Sequence, residues 1–131
     1  MKNLDDAAKA LGLLTPKVAK KTLIQMQSEI SSTAVSPRDT GRFRSNWYAG
    51  KNTPDRSTTE ATDQPQTDAV ELSESKGAKY YLSNNLPYAA GLAYGGKAVS
   101  QPKNWFPSFI NSRVPNIVRQ AQAEANRELG L

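Results

Sequence analysis

The sequence predicts a single α+β domain, in which an N-terminal amphipathic helix and a C-terminal helix pack on a small antiparallel sheet. Two observations carry this prediction: apolar residues recur at helical spacing near both ends of the chain, and short aromatic-rich runs lie between them. The chain has 131 residues, of which 37% are hydrophobic, and this suits one compact core. We therefore treat residues 1–131 as one domain.

The N-terminal helix is predicted from about Pro16 to Ser31 or Ser32. Thr15 followed by Pro16 is a start signal, because Thr is a favourable N-cap and proline fits the first helical position. The residues that follow form one apolar stripe, with members three or four apart. These residues are Val18, Ala19, Thr22, Leu23, Met26 and Ile30.

Two segments are expected to lie apart from this framework. Residues 1–15 form an arm, in which Asp5 to Leu14 predict a short helix that Gly12 weakens. Its apolar stripe consists of Leu4, Ala7, Ala8, Leu11 and Leu14. Residues 51–69 are polar and hold almost nothing apolar, and so long a connection in a compact domain is usually functional or mobile. We expect residues 51–69 to be a projecting or mobile loop.

The middle of the chain predicts strands. The clearest lies at residues 78–83, and residues 69–72 (Ala69, Val70 and Leu72) are expected to pair as another. Phe43 and Trp47 are four apart, which suits a helical turn, whereas residues 46–49 suit the start of a strand equally well. Residues 88–94 also fit either a helical turn or a strand.

The C-terminal helix is predicted from about Phe106 to Glu128. Its apolar stripe consists of Ile110, Val114, Ile117, Val118, Ala121, Ala125 and Leu129. Pro115 interrupts this stripe, so we expect either a kink at Pro115 or a helix that starts near it.

Composition excludes several kinds of chemistry. The chain has no Cys and no His, which removes disulfides, thiolate zinc sites and imidazole bases. No apolar run approaches the roughly 20 residues of a membrane span, and the N-terminus does not resemble a secretory signal. We expect a soluble, intracellular protein without membrane contact. The net charge of +5 is modest, and a solvated surface accounts for it.

Two short motifs suggest enzymes, and both fit poorly. Asp39-Thr40-Gly41 is the triplet of aspartic proteases, but Arg38 and Arg42 would hold the carboxylate ionised, whereas such a site shares a proton. Gly95-Gly96-Lys97 lacks the upstream glycine and the following Ser or Thr of a phosphate loop. A small enzyme with a carboxylate or Ser–Lys site stays open as an alternative.

A basic nucleic-acid-binding module is a second alternative. It is favoured if five basic residues converge on one face: Lys17, Lys20, Lys21, Arg42 and Arg44. Eight aromatic residues would stack on bases if an open sheet presented them, although aromatics in strands are more often core. They are Trp47, Tyr48, Tyr80, Tyr81, Tyr88, Tyr94, Trp105 and Phe106.

Three motifs occur in order along the chain. Residues 37–47 read Pro-Arg-Asp-Thr-Gly-Arg-Phe-Arg-Ser-Asn-Trp, residues 84–95 hold Asn-Asn, Pro-Tyr-Ala and Tyr-Gly, and residues 106–110 open the C-terminal helix with Phe-Pro. Together they resemble the tail-completion and neck proteins of long-tailed bacteriophages, of the lambda minor tail protein Z type. Ala93 departs from that pattern, which often has Glu two residues before the glycine.

The resemblance implies a structural virion protein that is not an enzyme and uses no cofactor or metal. Such proteins form rings, commonly hexamers, that complete the tail and join it to the head connector, with genomic DNA passing through the lumen. Expected partners are other copies of the chain, a connector or head-closure protein, and a tail terminator or tail tube protein. The expected location is the virion neck, and the host cytoplasm during assembly.

The resemblance also implies which residues brace the fold or its lateral contacts. They are Arg38, Asp39, Thr40, Gly41, Arg42, Trp47, Tyr88, Tyr94 and Gly95. A tail terminator or head-closure protein of the same neck is the nearest alternative. Residues 51–69 are expected to reach a neighbouring ring or the lumen, where basic residues would meet DNA without sequence preference.

Overall fold

The computed structural model describes residues 15–32, 41–89, 105–128 and 130. These residues form helix α1 (Pro16–Ile30), strand β1 (Trp47–Lys51), strand β2 (Tyr80–Asn84) and helix α2 (Trp105–Glu128). Short 3₁₀ helices occur at Arg44–Asn46 and Asp68–Glu71. The predicted α+β class, with an N-terminal helix, a C-terminal helix and a small antiparallel sheet, is confirmed.

Helix α1 begins and ends close to its predicted bounds. The Thr15 hydroxyl accepts a hydrogen bond from the Val18 backbone N–H at 3.4 Å, as an N-cap does, and Pro16 takes the first helical position. All six residues of the predicted stripe are buried, which confirms that this face is the core face. Gln27 is buried with them, and the sequence pattern did not predict this.

The sheet consists of two antiparallel strands, with Trp47 opposite Asn84 and Lys51 opposite Tyr80. The sequence allowed either a helical turn or the start of a strand at residues 43–49. Both occur, one after the other, because a 3₁₀ turn at Arg44–Asn46 leads directly into β1. This turn brings the rings of Phe43 and Trp47 edge to face, with centroids 5.4 Å apart.

Helix α2 runs without interruption from Trp105 to Glu128 with Pro115 inside it. Its first turn delivers Trp105 and Phe106 into the core, where Phe106 stacks on Trp47 at 5.8 Å and Trp105 meets Phe43 edge to face at 6.3 Å. Helix α2 also packs along α1. Four of the aromatic candidates for base stacking are therefore buried: Trp47, Tyr80, Trp105 and Phe106.

The prediction of a strand at Ala69, Val70 and Leu72 is wrong, because residues 68–71 form a 3₁₀ helix. The edge of β1 that a third strand would pair with is occupied by side chains. Gln27 Nε2 donates to the Trp47 carbonyl at 2.9 Å, and Asp68 Oδ1 accepts from the Ala49 N–H at 3.2 Å. These bonds satisfy the backbone groups that an added strand would otherwise satisfy.

Gln27 connects three parts of the fold. Besides Trp47, its amide nitrogen donates to Asp68 Oδ1 at 2.6 Å, and its amide oxygen accepts from the Ala69 N–H at 3.1 Å. The side chain is 2% exposed, so each of these bonds is shielded from water. One amide thus joins α1 to β1 and to the 3₁₀ helix at residues 68–71.

Ion pairs join the two helices at their surface. Arg113 donates to both oxygens of Glu29, at 2.8 and 2.9 Å. These hydrogen bonds from Arg113 lower the pKa of Glu29, against the opposing effect of burial. Near the other end of α1, Lys21 pairs with both Glu124 and Glu128.

We predict that Gln27→Ala lowers the free energy of unfolding by about 2–4 kcal/mol, because it removes three buried or half-buried hydrogen bonds, those to the Trp47 carbonyl, to Asp68 and from the Ala69 N–H. Urea denaturation measures this loss. Gln25→Ala is the matched control, since Gln25 is exposed on the same helix, and it should change stability by less than about 0.5 kcal/mol. Equal effects of the two substitutions would contradict the connecting role of Gln27.

A second prediction concerns pH. Because the pKa of Glu29 is lower in the folded state than its ordinary value of 4.5, the Arg113 pair stabilises the fold above that value. This stabilisation is lost as the pH falls through the lowered pKa. Glu29→Gln should therefore be less stable than the unsubstituted protein at pH 7, and the difference should shrink below about pH 4.5. Urea denaturation of both proteins from pH 3 to pH 7 tests this prediction. A difference in stability that stays constant over this range would refute it.

Candidate functional site

The candidate site is the turn that precedes β1, together with the segment that follows β2. Of the predicted site residues, Gly41, Arg42, Trp47 and Tyr88 are described by the structure. The others lie outside the described residues: Arg38, Asp39, Thr40, Tyr94 and Gly95. We call residues 41–47 the corner.

Gly41 opens the corner in a conformation that requires glycine. Its φ is +88°, in the left-handed region, and a Cβ at this position would overlap the backbone carbonyl oxygen of Thr62. The polar loop at residues 52–67 therefore passes directly against the corner. Glycine here satisfies both the backbone conformation and the close approach of a second segment.

Two further residues of the corner hold this loop. Asn46, which is 0% exposed, donates through Nδ2 to the Thr59 carbonyl at 3.0 Å and accepts from the Thr59 N–H at 2.8 Å. The Ser45 hydroxyl accepts from the Gln64 N–H at 3.0 Å, and Gln66 donates to the Ser45 carbonyl at 3.1 Å. The amide of Asn46 thus bonds to the loop as a neighbouring strand would, with one donor and one acceptor.

The expectation that residues 51–69 project is not met. Lys51 belongs to β1, Asp68 begins a 3₁₀ helix, and the backbone between them is bonded to the corner and to β2. Most side chains of the loop are exposed, as its composition requires. This loop is fixed by hydrogen bonds from buried and half-buried polar side chains and not by apolar contacts.

Described residues from two of the three motifs that carried the resemblance meet in the structure. Asn84, at the end of β2, donates to the Phe43 carbonyl in the corner at 2.8 Å. Its neighbour Asn85 donates to the carbonyls of Asp55 and Ser57 in the loop, at 2.8 and 3.1 Å. Tyr88 follows on the surface and is 37% exposed. The corner, the loop and the segment after β2 are therefore one hydrogen-bonded unit.

The arginines of the corner also bond to the loop. Arg42 Nε donates to the Thr59 carbonyl at 3.0 Å, beside Asn46. Arg44 pairs with Asp63, whose own side chain is largely exposed. Both guanidinium groups thus bond to the loop.

The condition that favours a nucleic-acid module is not met among the described residues. Lys17 and Lys21 pair with carboxylates of α2, near the start of α1. Arg44 lies beside Ser31 and Ser32 at the other end of that helix, which at 15 residues is about 22 Å long. The basic residues therefore belong to two separate regions, and most of them are already paired.

The described residues offer little for catalysis or metal binding. They contain no group of three or more acidic side chains placed to hold a metal ion. Lys51 Nζ donates to the hydroxyls of Ser73 and Ser75, at 2.7 and 2.6 Å. No helix in the described part of the chain is long and apolar enough to cross a membrane.

Sequence reasoning missed several residues that do most of the bonding at this site. Asn84 and Asn85 stood in a quoted motif, and Ser45 and Asn46 in another, but none was named as a site residue. Nothing in the sequence pattern identified Gln27 as a buried connecting residue, except that it lies beside the apolar stripe of α1. Each of these side chains bonds to backbone that is distant in sequence, so local patterns carry little information about it.

We predict that Gly41→Ala costs at least about 3 kcal/mol of stability, because a Cβ would meet the Thr62 carbonyl in addition to straining the backbone. Gly77→Ala is the matched control. Gly77 has φ +78° but nothing within 4 Å of its missing Cβ, so it isolates the backbone strain of about 1–2 kcal/mol. Urea denaturation of both variants measures the difference, and similar losses would refute the close approach of the loop.

Comparison of the chain with protein-family models, with curated proteins and with solved structures found no match in any of the three.

Proposed function

We propose that this protein is a structural subunit of a ring at the head–tail junction of a long-tailed bacteriophage. In this role it completes the tail and joins it to the head connector, and genomic DNA passes through the lumen of the ring. The proposal rests on the resemblance of residues 37–47, 84–95 and 106–110 to tail-completion and neck proteins.

One observation supports this role above the others. The polar side chains at this site bond to the chain's own backbone: Asn46 and Ser45 of the corner to Thr59 and Gln64, and Asn84 of β2 to Phe43. A catalytic motif needs polar groups directed at a substrate, whereas a bracing motif uses them to fix the shape of a subunit. The corner is a bracing motif in this sense, which suits a building block of a larger assembly.

The proposed partners follow from the position of such a ring. Copies of the chain contact one another laterally, in a closed ring that is a hexamer in the expected case. One face of the ring meets a connector or head-closure protein, and the other meets a tail terminator or tail tube protein. A tail terminator or head-closure protein of the same neck is the closest alternative role, because it shares the size, the ring form and the place in the virion.

The test is native mass spectrometry of the purified protein over a hundredfold range of concentration. We expect a closed multimer, with a hexamer as the main species, because ring contacts saturate when the last subunit closes the circle. In parallel, binding of a short DNA duplex is measured at 50 and 200 mM salt. A strict monomer that binds the duplex with strong salt dependence would contradict the proposal and favour a basic nucleic-acid-binding module.

A further inference from the structure

One end of the two-stranded sheet brings together three hydrogen-bond donors. Lys51 is the last residue of β1, and its Nζ donates to the hydroxyl of Ser73 at 2.7 Å and to that of Ser75 at 2.6 Å. A hydroxyl that accepts from an ammonium group keeps its own proton to donate, and the ammonium group has a third N–H. Within the described part of the chain, no acceptor is bonded to either hydroxyl proton. We call Lys51, Ser73 and Ser75 the donor cluster.

A buried tyrosine fixes the two serines of the donor cluster. Tyr80 lies directly opposite Lys51 in the sheet, so the two side chains are on the same face. The Tyr80 hydroxyl donates to the Ser73 carbonyl at 2.8 Å and accepts from the Ser75 N–H at 3.3 Å. Because Tyr80 is 0% exposed, the core holds its ring and thereby anchors the backbone that carries the serines. The donor cluster is therefore preorganised by the fold.

The positive charge at this end of the sheet is not neutralised by an ion pair. Lys76 follows Ser75 in the chain, Lys79 precedes Tyr80, and both are exposed. No described carboxylate pairs with Lys51, Lys76 or Lys79. Glu74 stands between the two serines, and since both serines contact Lys51, we expect its side chain on the opposite side of this stretch.

An ammonium group flanked by two hydroxyl donors is suited to an oxyanion. A phosphate monoester carries a charge of about −1.5 to −2 and three strong acceptor oxygens, which can take one bond from each member of the donor cluster. A carboxylate has two oxygens and a single charge, so it leaves one donor without a partner. A metal cation is disfavoured, because the ammonium group of Lys51 repels it and has no lone pair to offer.

We propose that the donor cluster binds a phosphate group, as inorganic phosphate or as a phosphate monoester. Lys51 supplies the charge and one N–H, and Ser73 and Ser75 supply their hydroxyl protons. Ser73 is exposed and the other two residues are half-buried, so a ligand can enter from solvent without a change of fold. The site lies within one subunit, and it goes beyond the proposed structural role without depending on it.

The first test is a titration of the full chain with inorganic phosphate, followed by two-dimensional amide NMR. Sodium chloride keeps the ionic strength constant, so that general screening of charge does not change along the titration. We expect the amide signals of Lys51, Ser73, Ser75 and Tyr80 to shift along one saturable curve. A titration without saturable shifts at these four residues would overturn the proposal.

Lys51→Met and Lys79→Met form a matched pair of variants, because each removes one positive charge from the same end of the sheet. Lys51→Met should weaken phosphate binding at least about tenfold, since it removes a charge-assisted hydrogen bond to the ligand. Lys79→Met should leave the affinity within about twofold, since charges at the surface are screened. Equal losses in the two variants would show general attraction to a basic surface and would overturn the site. Urea denaturation verifies that both variants fold.

Two further probes distinguish the sources of the phosphate group. O-phosphoserine stands for a monoester, and a DNA duplex without terminal phosphates stands for phosphodiesters, whose phosphorus leaves only two oxygens unesterified. We expect saturable binding of inorganic phosphate or O-phosphoserine, and the tighter of the two identifies the free ion or the ester as the ligand form. Duplex DNA that shifts the same four amide signals as strongly, at equal phosphate concentration, would overturn a site for a terminal phosphate. All of these results can be obtained with a monomer, so they are independent of whether the ring forms.

Discussion

The fold depends on the placement of one buried amide, that of Gln27. A two-stranded sheet is marginally stable alone, and its edge strand exposes backbone groups that need partners. Gln27 lies on the core face of α1 and supplies a donor to β1 and an acceptor to the 3₁₀ helix at residues 68–71. Because the same side chain also bonds to Asp68, the position of the helix fixes that of the sheet edge and of the chain segment beside it.

Side-chain amides play the same part around the corner and the segment after β2. Asn46, Asn84 and Asn85 each bond through their side chains to main-chain carbonyls of other segments. A segment as polar as residues 52–67 cannot be held by burial of apolar surface, so hydrogen bonds from side-chain amides hold it instead. The aromatic core around Trp47 supplies the rigid base from which these amides act. The protein therefore combines a small apolar core with an extensive network of side-chain to backbone bonds.

The sequence predicted those parts of the fold that are encoded locally. Thr15 and Pro16 mark the start of α1, and the periodic apolar residues identify its buried face, because capping and periodicity involve neighbours in the chain. Residues 69–72 were mistaken for a strand, since their apolar character did not reveal that Gln27 and Asp68 occupy the edge of β1. In the candidate site, Gly41 was named because it stands in the motif of the resemblance, whereas Asn46 and Asn84, whose partners are 13 and 41 positions away, were not named.

The pairing of the two helices has a consequence for when the protein can fold. Lys21 and Glu124 are 103 positions apart, and Arg113 reaches Glu29 across 84 positions. Contacts so distant in sequence form slowly and late, because a long loop must close before any of them is made. A growing chain on the ribosome therefore lacks its second helix, and its apolar stripe on α1 stays uncovered, until residues beyond 105 have been made. Folding is then completed only after most of the chain has been synthesised.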